Sequence, residues 1–163
     1  MKIYIASDHV GYELKEKLKT YLSGLGLSYE VIDKGAFNYD ANDDYPDFVK
    51  PLAQAVAEDK ESRGIIVAGS GQGEAMCANR TLGVRAAVFY GEAVAKEAID
   101  IKGQQSIDPY EIIKLTRIHN DANILSLSIR FLSEDQIKFA IELFLRTEFK
   151  GEERHIRRIN KLG

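Results

Sequence analysis

The chain has 163 residues, 45% of them apolar and 29% charged, with a formal net charge of −3. This balance suits one soluble domain with a full core, and it gives no global field to recruit nucleic acid or an anionic membrane. The single cysteine, Cys77, excludes an intrachain disulfide. The first predicted element is a buried strand over Lys2 to Ala6, apolar and β-prone, followed by a loop from Ser7 to Gly11. Tyr12 to Leu25 predicts a helix with Leu14, Leu18, Tyr21, Leu22 and Leu25 on its inner face and Gly26 as its stop. Ser28 to Asp33 predicts the second strand, Gly35 to Pro46 a polar loop, and Asp47 to Glu58 a helix facing inward through Val49, Leu52, Ala53 and Val56.

The third strand, Ile65 to Ala68, runs into three glycines within five positions, Gly69, Gly71 and Gly73, and the chain then restarts as a helix from Glu74. Arg85 to Tyr90 predicts a fourth strand and Glu92 to Asp100 a helix. Lys102 to Thr116 is irregular, with a short helix near Glu111 to Leu115. Ile124 to Leu127 predicts a fifth strand, and Ser133 with Gln136 forms a capping box for a helix to Thr147, inward through Ile137, Ala140, Ile141, Phe144 and Leu145. The end of the chain is basic, with Lys150, Arg154, Arg157, Arg158 and Lys161. Five strand–helix alternations predict an α/β domain, a five-stranded parallel sheet covered by helices on both faces, with no second domain. In such sheets ligands bind beyond the carboxyl ends of the strands. The loops Ser7–Gly11 and Gly69–Glu74 and the stretches flanking strand five are expected there.

A strand that ends in glycines and restarts as a helix is suited to anions, because backbone N–H groups can approach a ligand closely. The loop is neither a Walker A sequence nor a GxGxxG fingerprint. Its carboxylate, Glu74, would repel a phosphate. Either Glu74 points to solvent, or the anion in the cradle is not a phosphate and the carboxylate acts on it chemically. Asp8 reads as a helix cap or as a partner for sugar hydroxyls. His9 and His119 fall at predicted strand-end loops, and His155 in the basic tail. Asp40, Asp43 and Asp44 crowd one loop whose spacing fails the EF-hand pattern, leaving a solvated acidic loop. Cys77 has no local base to activate it. The tail arginines read as a solvated face or as phosphate ligands, since guanidinium presents paired planar donors. Ser70 lacks the G-x-S-x-G setting of a hydrolase nucleophile.

Taken together, several stretches resemble one family, ribose-5-phosphate isomerase type B, within the wider ribose/galactose isomerase group. They are Ser-Asp-His-Val-Gly, Asp-Lys-Gly, Asp-Tyr-Pro, Gly-Ser-Gly-Gln-Gly-Glu-Ala-Met-Cys-Ala-Asn-Arg, Gly-Val-Arg-Ala-Ala, His-Asn-Asp-Ala-Asn and Arg-His-Ile-Arg-Arg-Ile. The resemblance spans nearly the whole chain as one sugar-phosphate isomerase domain, residues 1–163, with an insertion over 101–117 and a basic tail over 150–163. It implies a Rossmann-like three-layer sandwich. It also implies the glutamate-base variant, because Ala68 stands where the cysteine variant carries its base and Glu74 matches the alternative. By the same resemblance Glu74 and His119 are catalytic, His119 as the proton donor for ring opening. Asp8, His9, Gly69, Ser70, Gly71, Gln72, Gly73, Asn120, Arg130, Arg154 and Arg158 would contact substrate, the arginines through its phosphate. The resemblance implies aldose–ketose isomerisation of ribose 5-phosphate without metal or organic cofactor, in a homodimer or tetramer with the site shared between subunits. The alternatives are a six-carbon substrate such as allose 6-phosphate, or a non-catalytic sugar-phosphate-binding module. With no targeting segment or long apolar run in view, a cytoplasmic protein is expected.

Overall fold

The computed structural model describes residues 1–25 and 29–162, and these form a five-stranded parallel sheet in the order β2-β1-β3-β5-β4. The strands are β1 (Lys2–Ser7), β2 (Glu30–Asp33), β3 (Arg63–Ala68), β4 (Ala86–Phe89) and β5 (Ile124–Ser128). The helices are α1 (Tyr12–Ser23), α2 (Pro46–Glu58), α3 (Gln72–Ala78), α4 (Glu111–Asn120), α5 (Glu134–Arg146) and α6 (Glu153–Ile159). The expected stop at Gly26 and strand start at Ser28 lie outside the described residues, and α1 already ends at Ser23 with Gly24 as its cap.

The strands are apolar on both faces, as a sheet covered twice must be. Ile3, Ile5, Ile65, Val67, Leu125 and Leu127 pack beneath α1, α4 and α5, against Leu18, Leu22, Ile113, Ile137, Ile141 and Phe144. Tyr4, Ala6, Ile66, Ala68 and Ile124 face the other way, against Val49, Leu52, Ala53 and Val56 of α2 and Ala78 of α3. Each such leucine or isoleucine contributes about 1.5–3 kcal/mol through removal from water. Lys15, fully buried in α1, is held by Asp33 at 2.6 Å and Glu16 at 2.6 Å.

β1 lies between β2 and β3, so consecutive connections leave it in opposite directions. That reversal opens a crevice at the carboxyl end of β1 and β3. The loops Ser7–Gly11 and Gly69–Gly71 both emerge there. Gly11 is required at this point, since a Cβ would stand 2.0 Å from the carbonyl oxygen of Val67.

One expectation for the second half is corrected. Glu92 to Asp100 is not a helix; residues 90–110 are irregular. Its apolar residues make no continuous inner face, as Val94 is 53% exposed, and its polar groups are committed elsewhere. The Ala93 amide donates to Pro109 O, and Glu92 Oε1 accepts from the Tyr110 hydroxyl and from Gln136 Nε2. The short helix expected near Glu111 to Leu115 is present and longer, forming α4 from Glu111 through His119 to Asn120. The basic tail also folds further than expected, since α6 occupies Glu153–Ile159.

Candidate active site

The glycine loop is fixed from the neighbouring strand. Ser126 Oγ donates to Gly71 O at 2.8 Å, and Ser128 Oγ donates to Gly69 O at 3.1 Å. Both serines share the α3 side of β5 with Ile124, because side chains alternate along a strand. Gly71 has φ +73°, and a Cβ there would come within 2.9 Å of Ser126 Oγ. These bonds turn the Gly69 and Gly71 carbonyls toward β5. α3 starts at Gln72, one residue before Gly73.

Glu74 in the first turn of α3 is only 6% exposed, so the carboxylate does not point to open solvent. Burial pushes its pKa above the ordinary carboxylate range; its own backbone N–H opposes this and the nearby Asp8 charge adds to it. The Tyr45 hydroxyl overhangs Gly73, 2.9 Å from where a Cβ would stand. Asp8 is buried and acts as a cap, with Oδ1 accepting from the amides of Val10 at 3.0 Å and Gly11 at 3.3 Å. His9 is held by Asp43, whose Oδ1 accepts from the His9 amide at 3.2 Å and lies 2.6 Å from Nδ1. The Asp43 hydrogen bond raises the His9 pKa, while Arg130 opposes protonation. Arg130 completes this cluster, its Cζ 3.3 Å from a Cβ placed at Gly69. Ser70 and Gln72 sit exposed on the loop.

A second cluster lies at the opposite edge of the sheet. β3 and β5 are parallel, pairing Gly64 with Ile124 at one end and Ala68 with Ser128 at the other. α4 ends just before Ile124, so His119 lies at the amino edge of strands about 16 Å long, not at the carboxyl edge expected for the stretch before strand five. The His119 ring stacks on His155 of α6, with centroids 4.4 Å apart and planes 15° from parallel. Burial holds the His119 pKa below its ordinary value, and Arg154 lowers it further. A cavity of about 250 Å³ is bounded by His119, His155, Arg154 and Arg158, with Ala98 to Ile101 opposite. Asn120 faces a different cavity, shared with Asn79, Arg85 and Leu162.

Most of the residues singled out from the sequence therefore fall into two separate clusters within one chain. Asp8, His9, Gly69 to Glu74 and Arg130 form the first; His119, Arg154 and Arg158 form the second. Asp43, Tyr45, Ser126, Ser128 and His155 were not anticipated as contributors. A signal existed for the serines, two hydroxyls alternating in an apolar strand where burial demands a partner. Cys77 takes no part, and burial pushes its thiol pKa up. Among the described residues, no group of three or more His, Cys, Asp or Glu is placed to hold a metal ion, and no helix is long and apolar enough to cross a membrane.

The profile of the Ribose/Galactose Isomerase family matches residues 3–107 and 106–162. Ribose-5-phosphate isomerase B of Mycobacterium tuberculosis H37Rv is 33% identical over 163 residues, covering 100% of this chain and 88% of that protein. The probable ribose-5-phosphate isomerase B of Mycoplasma pneumoniae is 38% identical over 161 residues, 98% of this chain and 91% of that protein. The crystal structure of ribose-5-phosphate isomerase B from Mycoplasma genitalium with bound ribulose 5-phosphate superposes with a TM-score of 0.82 at 34% identity, covering 99% of this chain and 93% of that one.

Proposed function

The chain belongs to the ribose/galactose isomerase family, and on that premise we propose that it interconverts ribose 5-phosphate and ribulose 5-phosphate. This is a step of pentose phosphate metabolism. The observation that carries the mechanism is Glu74, a buried carboxylate of raised pKa directly behind the glycine loop. In the aldose-to-ketose direction the Glu74 carboxylate takes the proton from C2, and the electron pair moves through the C1–C2 bond onto O1. The resulting enediolate lies against the amides of Gly69 to Gly73, which stabilise the developing negative charge. The O2 hydroxyl proton passes to O1, and Glu74 returns its proton to C1. A raised pKa suits this cycle, because the base must also be a competent acid. Carboxylate and backbone supply both proton transfer and charge stabilisation, so the reading calls on no metal or organic cofactor.

His119 supplies the proton for opening the furanose ring, and it does so across a subunit boundary. Within one chain it stands at the far edge of the sheet from Glu74, so a homodimer brings Glu74 of one protomer to His119 of the partner subunit. Arg130 and His9 then meet the phosphate from one side, with Arg154 and Arg158 of the partner subunit on the other, and Asp8 reaches the sugar hydroxyls.

Isomerisation of ribose 5-phosphate by the purified chain tests the reaction. Mixing two inactive variants, Glu74→Gln and His119→Asn, tests the shared site. Random pairing of subunits leaves one intact site in each mixed dimer and restores about a quarter of wild-type activity. If each site lies within one chain, the mixture stays inactive.

A further inference from the structure

Arg85 stands one residue before β4, and its backbone is locked to the residue before β5. Its amide donates to Asn123 Oδ1 at 2.7 Å, and its carbonyl accepts from the Asn123 amide at 3.0 Å. From that base the side chain turns toward the end of α4. Arg85 Nε donates to Asn120 O and to Asp121 O, both at 2.9 Å, and Nη2 donates to Asp121 Oδ2 at 2.9 Å. These carbonyls close the helix that carries His119, and the helix itself offers them no partner. The other Asp121 oxygen accepts from Arg117 Nη1 at 2.8 Å, and Arg117, 2% exposed, also donates to Thr147 O at 3.1 Å. Asp121 has φ +45°, and among the described residues it alone has positive φ without being glycine. A helix ending in the left-handed region ordinarily takes glycine or asparagine there. Here a carboxylate set between two arginines holds the conformation.

Resting on the isomerase reading above, we propose that Arg85 and Asp121 are positioning residues for His119. They fix the last turn of α4 to the amino edge of the sheet, and so set where the imidazole meets the sugar ring held by the partner subunit. Attachment of α4 to the domain does not call for this arrangement. Ile113 already anchors the helix in the core, and Arg117 ties it to the end of α5. The Arg85 guanidinium engages neither contact. It grips the two residues directly after His119, and its remaining bond goes to Gly83 O at 3.1 Å in its own turn. A reacting group displaced by about 1 Å costs about 100-fold in rate, so a hold on that one turn has a catalytic use. The hold also depends on the planar fork of arginine, because Nε and Nη2 reach backbone and carboxylate at once, which a single ammonium does not reproduce.

The test separates ring opening from proton transfer at carbon. Ribose 5-phosphate is a furanose and needs His119 before Glu74 can act. Ribulose 5-phosphate cannot close such a ring, because its O5 carries the phosphate. Exchange of its C1 hydrogen with D2O, read by NMR, therefore needs Glu74 and not His119. Both rates are measured on the full-length protein. Arg85→Lys keeps the charge and loses the fork; it is expected to lower kcat for ribose 5-phosphate about 10- to 100-fold while exchange keeps its wild-type rate. Asp121→Asn, which also strips buried Arg117 of its counter-charge, is expected to show the same selective loss. In a His119→Asn background Arg85→Lys is expected to cost nothing further, since it acts through that ring. Arg63→Lys is the control, because Arg63 lies on the same sheet edge and donates to Lys60 O and Ser62 O in its own turn; both of its rates stay at wild type. Equal loss of both rates in Arg85→Lys, or a further loss in the His119→Asn background, overturns the positioning role and leaves the isomerase intact. Unchanged isomerisation in both Arg85→Lys and Asp121→Asn does the same. A wild-type chain that does not isomerise ribose 5-phosphate overturns the isomerase reading and the positioning role with it.

Discussion

The two clusters of candidate site residues in this chain are built by different means. The glycine-loop half grows directly out of the sheet. Its carbonyls are tied to buried serines of the next strand, its turn needs a left-handed residue, and its carboxylate is enclosed. The histidine–arginine half rests on the last turn of one helix, a seven-residue helix near the chain's end and an irregular excursion. Arg158 is exposed and His119 half-buried. On the proposed reading, the chemistry that must be geometrically exact sits on the rigid part, and recognition of the rest of the substrate sits where the chain can be lengthened or reshaped without disturbing the core.

The most direct way to break this contrast is at Glu74. Glu74→Gln is expected to lower kcat by about 10³-fold or more, with KM changed little. The variant should melt no lower than wild type, because an amide replaces a carboxylate whose ionisation burial opposes. A kcat within tenfold of wild type overturns its role as the base. Because the Glu74 pKa is raised, its protonated and inactive form persists above the ordinary carboxylate range. The acid limb of kcat/KM is therefore expected at higher pH than a free glutamate would give, with activity lost as pH falls through it.

Gly71→Ala tests the rigidity of the same half. The φ of +73° and the 2.9 Å approach to Ser126 Oγ should together cost about 1–3 kcal/mol of stability, read by denaturant unfolding, with a parallel loss of kcat. A smaller effect follows from Ser126→Ala, which removes one buried hydrogen bond and leaves the second serine in place. About 1 kcal/mol of stability and a modest drop in kcat are expected; a change in KM alone would place the serine in binding instead. Asp43→Asn should do least. The Asp43 hydrogen bond raises the His9 pKa, so its contribution is present while His9 is protonated and fades as pH rises through that raised value. NMR titration should show the His9 pKa falling in Asp43→Asn, and no movement would mean the contact is incidental.

The same contrast decided what the sequence could reveal. Apolar runs and glycine punctuation marked β1, β3 and α3, and with them Asp8, His9 and Glu74, because these elements obey local rules. The serine cap of α5 was equally legible. Glu92 to Asp100 misled, because a run rich in alanine, lysine and glutamate has helical propensity, and tertiary hydrogen bonds to Pro109, Tyr110 and Gln136 overrode it. His119 read as a loop residue because α4 has few apolar positions near its end, where Arg117 is buried by its bonds to Asp121 at 2.8 Å and Thr147 O at 3.1 Å. Nothing local could show that Asp43 reaches His9 or that Ser126 reaches Gly71, since these pairs are 34 and 55 positions apart.

The strand order carries a consequence for how the molecule comes into being. Among the described residues β4 pairs with β5 alone, and β5, the last of their strands to be made, inserts between β3 and β4. A ribosome therefore releases most of the chain before the sheet can close. Until Ile124 to Ser128 has emerged, β3 presents an unpaired edge and the glycine loop lacks the two hydroxyls that hold its carbonyls. The proposed proton-transfer centre is read out early and assembled late, so a nascent chain stalled before β5 carries Glu74 on an unfinished scaffold whose open edge invites pairing with its neighbours.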